Sequence, residues 1–176
     1  VAVTTSRADY GHLYWPLRYL ALQPDISVTL AVTAAHLSPE FGHTADQIAA
    51  IDGVTIVEVE SLLSSDTDVG MAKTIAVTAL GLTELLAQLR PDLLLLIADR
   101  YENLAPASDA LTLRIPIAHI EGGDVSEGAI DDAVRNALTK LSHIHFTPTE
   151  AARQRVLAMG EEDWRVHRVG APSLDL

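Results

Sequence analysis

The sequence predicts an α/β fold with a central parallel sheet, on two observations. Short apolar runs alternate with longer segments of helical period, the pattern of successive β-α units. The runs themselves are nearly continuous in Val, Ile and Leu, as strands covered on both faces require.

The expected strands are VAVTT (1–5), ISVTLAV (26–32), TIVEV (55–59), LLLLIA (93–98), PIAHI (116–120), HIHFT (143–147) and a weaker VHRV (166–169). Helices are expected at 10–23, 44–51, 69–90, 101–113, 127–141 and 149–159. Thr44 to Gln47 and Thr147 to Glu150 have capping-box spacing, the second with Pro148 at the first helical position. Arg90-Pro91-Asp92 closes the long helix, because a residue before Pro avoids the right-handed helical region. The 69–90 helix also carries an apolar stripe, with Met71, Ile75 and Leu82, that serves core packing or association between copies equally well.

At 176 residues the chain suits one domain with a sizeable core and is short for two. Twelve Lys and Arg stand against 24 Asp and Glu, a formal net charge of −12. That field repels phosphate backbones and anionic membrane surfaces, so neither a nucleic acid nor a membrane is an expected partner. A small anion remains a possible ligand, since converging Arg side chains and helix N-termini bind it locally. The absence of cysteine excludes disulfides, thiolate zinc sites and a Cys nucleophile, and suits the cytoplasm. The run LLLLIA is far shorter than the roughly 20 residues that span a bilayer. Val1 already lies inside a strand and no initiator Met precedes it, so the natural chain is expected to begin upstream.

In an open parallel sheet, ligands collect beyond the carboxyl ends of the strands. There the sequence offers Ser6, Arg7 and Asp9, then His36 and Glu40, then Asp99 and Arg100, and finally Glu121 with its neighbours. No Gly-x-Gly-x-x-Gly follows the first strand and no phosphate loop ends in Gly-Lys-Ser/Thr, so a nicotinamide cofactor is not expected. Arg7 can meet a phosphate at a helix N-terminus or pair with Asp9. Asp99, at the end of an apolar strand, is half desolvated and suits either a base or a helix cap, with Arg100 opposing any rise in its pKa. Glu121 precedes Gly122 and Gly123, whose missing side chains admit a substrate or the backbone itself. A loop acid bound to a nearby amide is the other reading of Glu121. Asp131 and Asp132 begin a helix, where carboxylates favour the macrodipole, and Asp131 and Arg135 share a helix face. His119, Glu121 and Asp124 are possible N and O ligands, but in an extended strand only His119 and Glu121 share a face and no third ligand follows from spacing, so acid/base work or capping is expected rather than a metal. His143 and His145 read as ordinary strand residues.

Taken in order, TSRADYG, TAAHLSPEFGHT, LRPDLLLLIADRYENL, HIEGGDVSEGAIDDAVRNALTKLSHIHF and VGAPSLD resemble the hydrolysing UDP-N-acetylglucosamine 2-epimerase family of sialic-acid biosynthesis. The resemblance runs the length of the chain and implies a three-layer Rossmann-like domain, the N-terminal half of a two-domain GT-B-like epimerase. It implies elimination of UDP from the sugar nucleotide, hydration of the resulting glycal to N-acetylmannosamine, and no redox cofactor. Asp99, Glu121 and Asp131 match the family's catalytic acids; Arg7, Arg100 and Arg135 match positions near substrate or nucleotide, and Gly122 and Gly123 make room for the sugar. Glu121-Gly122-Gly123-Asp124 and the ten-residue step to Asp131 resemble the hydrolysing branch rather than the branch that releases the epimerised nucleotide sugar. A related subgroup takes a diacetamido-trideoxy sugar nucleotide for legionaminic acid.

Departures from the pattern are Ala98 where many relatives have Gly, His12 where several have Lys, and Asn136 in place of a His. The partners implied are a UDP-sugar, a C-terminal nucleotide-binding domain not contained in residues 1–176, and further copies of the chain; without the second domain this half is expected to be inactive. The other reading is a stand-alone sugar-nucleotide binding or regulatory module. A second β-α domain downstream distinguishes the enzyme from it.

Overall fold

The computed structural model describes residues 1–48, 51–63, 67–128 and 130–175. Seven strands form one sheet: β1 (Ala2–Thr4), β2 (Val28–Thr33), β3 (Val54–Val59), β4 (Leu94–Ile97), β5 (Ile117–Ile120), β6 (Ile144–Thr147) and β7 (Val166–Arg168). Every pairing is parallel and the order is β3-β2-β1-β4-β5-β6-β7. The connections run outward in one direction from β1 and in the other from β4, so β1 and β4 flank a topological switch point.

The continuous Leu run explains the two-sided core. Leu94 and Leu96 point into a cluster with Val3, Leu82, Leu86, Ile117, Val134 and Leu138. Leu95 and Ile97 point the other way, to Leu13, Leu17, Leu30, Val32 and Ile120. The first cluster draws on helices α2 (Asp68–Leu89), α3 (Leu104–Leu113) and α4 (Asp131–Leu141), the second on α1 (Arg7–Ala21). The seventh strand is followed by a short 3-10 turn, Pro172–Asp175, that lies against α1.

All seven expected strands are present, and the helices differ where polar side chains are drawn into other bonds. The 44–51 helix reduces to a 3-10 turn, Thr44–Gln47, with residues 49–50 outside the described residues. Its capping box does not form, because the hydroxyl of Thr44 donates to Nδ1 of buried His36 at 2.9 Å and His43 takes the N-cap position. The box at Thr147 is displaced by two residues: Thr147 ends β6, and Thr149 caps α5 (Glu150–Ala158) by accepting from the Ala152 amide at 3.1 Å. Pro148 therefore precedes the cap rather than opening the helix. The first helix starts at Arg7, three residues before its expected start, and α4 starts only at Asp131.

At the end of α2, Arg90 leaves the helical region that the following Pro disfavours and turns left-handed (φ 46°), its amide donating to the Leu86 carbonyl at 2.9 Å. Leu82 is fully buried, not part of an exposed stripe: the inward face of α2 runs through Gly70, Thr74, Thr78, Leu82 and Leu86. Met71 and Ile75 are half-buried, and the exposed large apolar residues of the helix are Val69, Leu80 and Leu89. By length and composition alone α2 is the one described helix able to cross a membrane; it packs along α3 and contributes to the core.

Candidate active site

The polar residues gather where the strands around the switch point end. After β1 the chain turns into α1 over Thr5 and Ser6, and buried Asp9 is the hub of that turn. Its carboxylate accepts from the Thr5 amide (2.9 Å), the Thr5 hydroxyl (2.7 Å), the Ser6 amide (2.9 Å) and the Thr4 hydroxyl (2.8 Å). Nε2 of His36, buried and pushed towards the neutral form by that burial, donates to Thr4 at 3.0 Å. Asp9 is thus taken up by the turn, and Arg7 does not pair with it: Arg7 is exposed at the first turn of α1 with no ion-pair partner among the described residues.

Beyond β4, Ala98 adopts a left-handed conformation (φ 57°) that L-residues rarely take. Asp99 follows, and its carboxylate caps no helix. It accepts from the Ser126 hydroxyl at 2.7 Å and is paired with Nη2 of Arg135. Burial raises its pKa, but the bonds from Ser126 and Arg135 outweigh that and hold it below the usual carboxylate range. Arg100 turns to Glu102, a fully buried acid 2.8 Å away whose pKa burial pushes up.

Beyond β5, Glu121 is also left-handed (φ 63°) and almost buried. Its amide donates to the Phe146 carbonyl at 2.8 Å, and its carbonyl accepts from Nη1 of Arg135 at 2.9 Å. Among the described residues the carboxylate accepts from no backbone amide. Nδ1 of His12, one turn into α1, donates to both of its oxygens at 3.1 Å. Arg135 also donates to Ser126 at 2.8 Å, so one guanidinium ties Asp99, Ser126 and the Glu121 carbonyl together.

The helix-face partnership of Asp131 with Arg135 does not form, since Arg135 is already engaged. Asp131 stands half-exposed in the first turn of α4, its carboxylate against Gly128, without a hydrogen-bond partner among the described residues. The close approach that Gly122 and Gly123 allow is made by the protein itself. A Cβ on Gly122 would lie 3.0 Å from Nδ1 of His119 and Oγ1 of Thr139; one on Gly123 would lie 2.3 Å from the Ala152 carbonyl oxygen. His119, fully buried, donates from Nε2 to the Ala98 carbonyl at 2.8 Å and accepts from the Thr139 hydroxyl at 3.2 Å.

Sequence reasoning thus finds Asp99, Glu121 and Arg135, which the structure links, and misses Ser126 and the partnership of His12. Nothing in local spacing marks a serine five residues beyond Glu121; only the turn that returns the chain to β4 makes it a ligand of Asp99. His145, expected to be ordinary, is fully buried and donates to Glu161, which also pairs with Lys140 and Arg165. Among the described residues no group of three or more His, Cys, Asp or Glu is placed to hold a metal ion.

The model of the family described as UDP-N-acetylglucosamine 2-epimerase matches residues 18–176. The chain belongs to that family. Among curated epimerases, UDP-N,N'-diacetylbacillosamine 2-epimerase (hydrolyzing) of Legionella pneumophila is 41% identical over 99% of this chain and 46% of its own length. UDP-N-acetylglucosamine 2-epimerase of Neisseria meningitidis is 32% identical over 100% of this chain and 46% of its own length. The crystal structure of the UDP-GlcNAc 2-epimerase from Neisseria meningitidis bound to UDP-GlcNAc matches with a TM-score of 0.83, at 21% identity, over 99% of this chain and 47% of that one. The enzyme from Methanocaldococcus jannaschii matches with a TM-score of 0.78 over 99% and 46%. The fold is therefore the Rossmann-like sheet of these GT-B-like epimerases, and the chain spans a little under half the length of the relatives it matches.

Proposed function

We propose that this chain is the N-terminal domain of a cytoplasmic, hydrolysing 2-epimerase of a UDP-activated 2-acetamido sugar, which works with a second domain and as a homo-oligomer. The enzyme eliminates UDP to leave a 2-acetamidoglycal and then adds water, giving the free sugar epimerised at C2; from UDP-N-acetylglucosamine the product is N-acetylmannosamine. The observation that carries this reading is the linked set at the switch point. Asp99 and Glu121, 22 residues apart in sequence, are held at adjacent strand ends by one buried arginine.

The reaction needs proton transfer at C2 and on the added water, and stabilisation of the departing diphosphate. Asp99 and Asp131 serve the first need together with Glu121, which acts there directly or through the side chain it holds. Arg7, exposed at the start of α1 where the helix dipole already favours an anion, serves the second together with Arg100. Arg135 positions the acids, and the backbone at Gly122 and Gly123 borders the sugar. No redox cofactor or metal enters the scheme.

A second substrate is favoured by a specific observation: relatives named for UDP-N,N'-diacetylbacillosamine and for GDP/UDP-N,N'-diacetylbacillosamine are 41% and 34% identical, against 32% for the meningococcal UDP-N-acetylglucosamine enzyme. The test supplies the intact protein with UDP-N-acetylglucosamine and with its diacetamido-trideoxy analogue, and follows UDP and free sugar by NMR. UDP together with the free C2 epimer is expected from one of them. UDP from neither overturns the proposal, and release of an intact epimerised nucleotide sugar overturns its hydrolytic part.

A further inference from the structure

Glu121 is poorly placed to meet a sugar directly, and its partner is better placed. The carboxylate has a side-chain exposure of 10%, and both of its oxygens share the proton on Nδ1 of His12. Its backbone is fixed on both sides, through the amide to Phe146 and the carbonyl to Arg135, in a strained left-handed conformation. His12 has a side-chain exposure of 33%. With Nδ1 carrying the proton, Nε2 carries the lone pair, and it has no hydrogen-bond partner among the described residues.

A carboxylate that fixes the tautomer and direction of an imidazole, leaving the far nitrogen open, is the orienting arrangement that Ser-His-Asp triads give their general base. The geometry points to His12 as the catalytic base of this site, with Glu121 as the positioning residue that holds it. This rests on the proposed elimination and refines it. Nε2 takes the proton from C2 of the sugar. The C–H electron pair becomes the C1=C2 double bond, and the C1–O bond breaks with its electron pair leaving on UDP. The imidazolium so formed lies against the Glu121 carboxylate, which offsets its charge until the proton passes to water.

The test uses the intact enzyme with the nucleotide sugar that the wild type turns over. His12→Gln keeps a side-chain N–H for Glu121 but has no base; its kcat is expected to fall at least about a hundredfold, with KM changed by less than about threefold. His12→Gly is expected to regain at least about tenfold of its lost rate when free imidazole is added, which a merely structural histidine would not allow. In the ligand-free protein, ¹⁵N NMR is expected to show the Nδ1–H tautomer of His12, and Glu121→Gln to weaken that preference. An active wild type together with a folded His12→Gln that keeps more than a third of its kcat overturns this inference alone. A wild type that releases no UDP from either sugar nucleotide overturns the elimination itself, and His12 as its base falls with it.

Discussion

Nη2 of Arg135 donates to Oδ2 of Asp99 across 36 residues of sequence, and Nη1 of the same guanidinium reaches the carbonyl of Glu121 at 2.9 Å. One side chain from α4 therefore fixes the ends of two adjacent strands. Only a planar fork with separated donors can do both; a lysine ammonium is a single point of charge on a flexible stem.

Arg135→Lys is accordingly expected to lose about 2–3 kcal/mol of stability, less than the roughly 3–5 kcal/mol of removing one partner from a buried ion pair because the lysine retains a charge. Urea denaturation near neutral pH measures that loss. The Asp99 carboxyl, held down by Ser126 and by this arginine, is expected to titrate at higher pH in the variant, which ¹³C NMR follows directly. An unchanged midpoint with an unchanged Asp99 titration would show that the clamp does not form in solution.

Gly123 separates packing from conformational strain. Its φ of 77° already disfavours any side chain, and a Cβ would sit 2.3 Å from the Ala152 carbonyl oxygen and 2.7 Å from Cγ2 of Val156. Gly170 has φ 91° and open space. Gly170→Ala is expected to cost about 1–2 kcal/mol for the left-handed backbone alone. Gly123→Ala adds overpacking against α5 and is expected to cost about 3–4 kcal/mol in all. Equal losses at the two positions would mean that α5 does not pack on the glycine pair.

Burial pushes the His119 pKa from 6.5 to about 4, with the bond to the Ala98 carbonyl opposing it. Below pH 6.5 the unfolded chain takes up a proton that the folded chain refuses, so stability falls from there to about pH 4 and this contribution levels off below that. The full effect is roughly 3 kcal/mol. His36 and His145 are lowered by burial and act in the same sense, whereas Glu102 and Asp109 are raised by burial and act against it. His119→Gln isolates the one site: denaturation midpoints measured across that window are expected to fall less steeply than in the wild type. Superimposable slopes would mean that His119 is protonated in the folded protein.

The sheet was legible because a buried parallel strand writes itself as a nearly continuous apolar run, unbroken at Leu94–Ile97 and broken only by His119 at Ile117–Ile120. Helix starts were less so, since Thr44 and Thr147 have capping chemistry but give their hydroxyls to His36 and the His167 carbonyl. The same holds in the site. Asp99 and Glu121 stand out by following apolar strands, but what each carboxylate bonds is decided by Ser126, Arg135 and His12, which arrive from elements 27, 36 and 109 residues away. Spacing along the chain carries no trace of such meetings.

Ala98 offers the sharpest test of backbone conformation at the site. Its φ of 57° costs an L-residue about 1–2 kcal/mol. It is held there because its amide donates to Ile120 at 3.0 Å and its carbonyl accepts from His119 at 2.8 Å. Replacing it by Gly removes that strain, loses about 0.5–1 kcal/mol through the freer unfolded chain, and gives up the partial burial of its methyl group against the core. These terms nearly cancel, so Ala98→Gly is expected to leave stability within about 0.5 kcal/mol of the wild type. Ala107→Gly, in the middle of α3 and fully buried, has no strain to release and is expected to lose about 1–2 kcal/mol. Ala98→Val, which adds β-branching to a left-handed residue, is expected to lose more than either. The three denaturation midpoints in that order support a left-handed turn between β4 and Asp99; an Ala98→Gly loss equal to that of Ala107→Gly would contradict it.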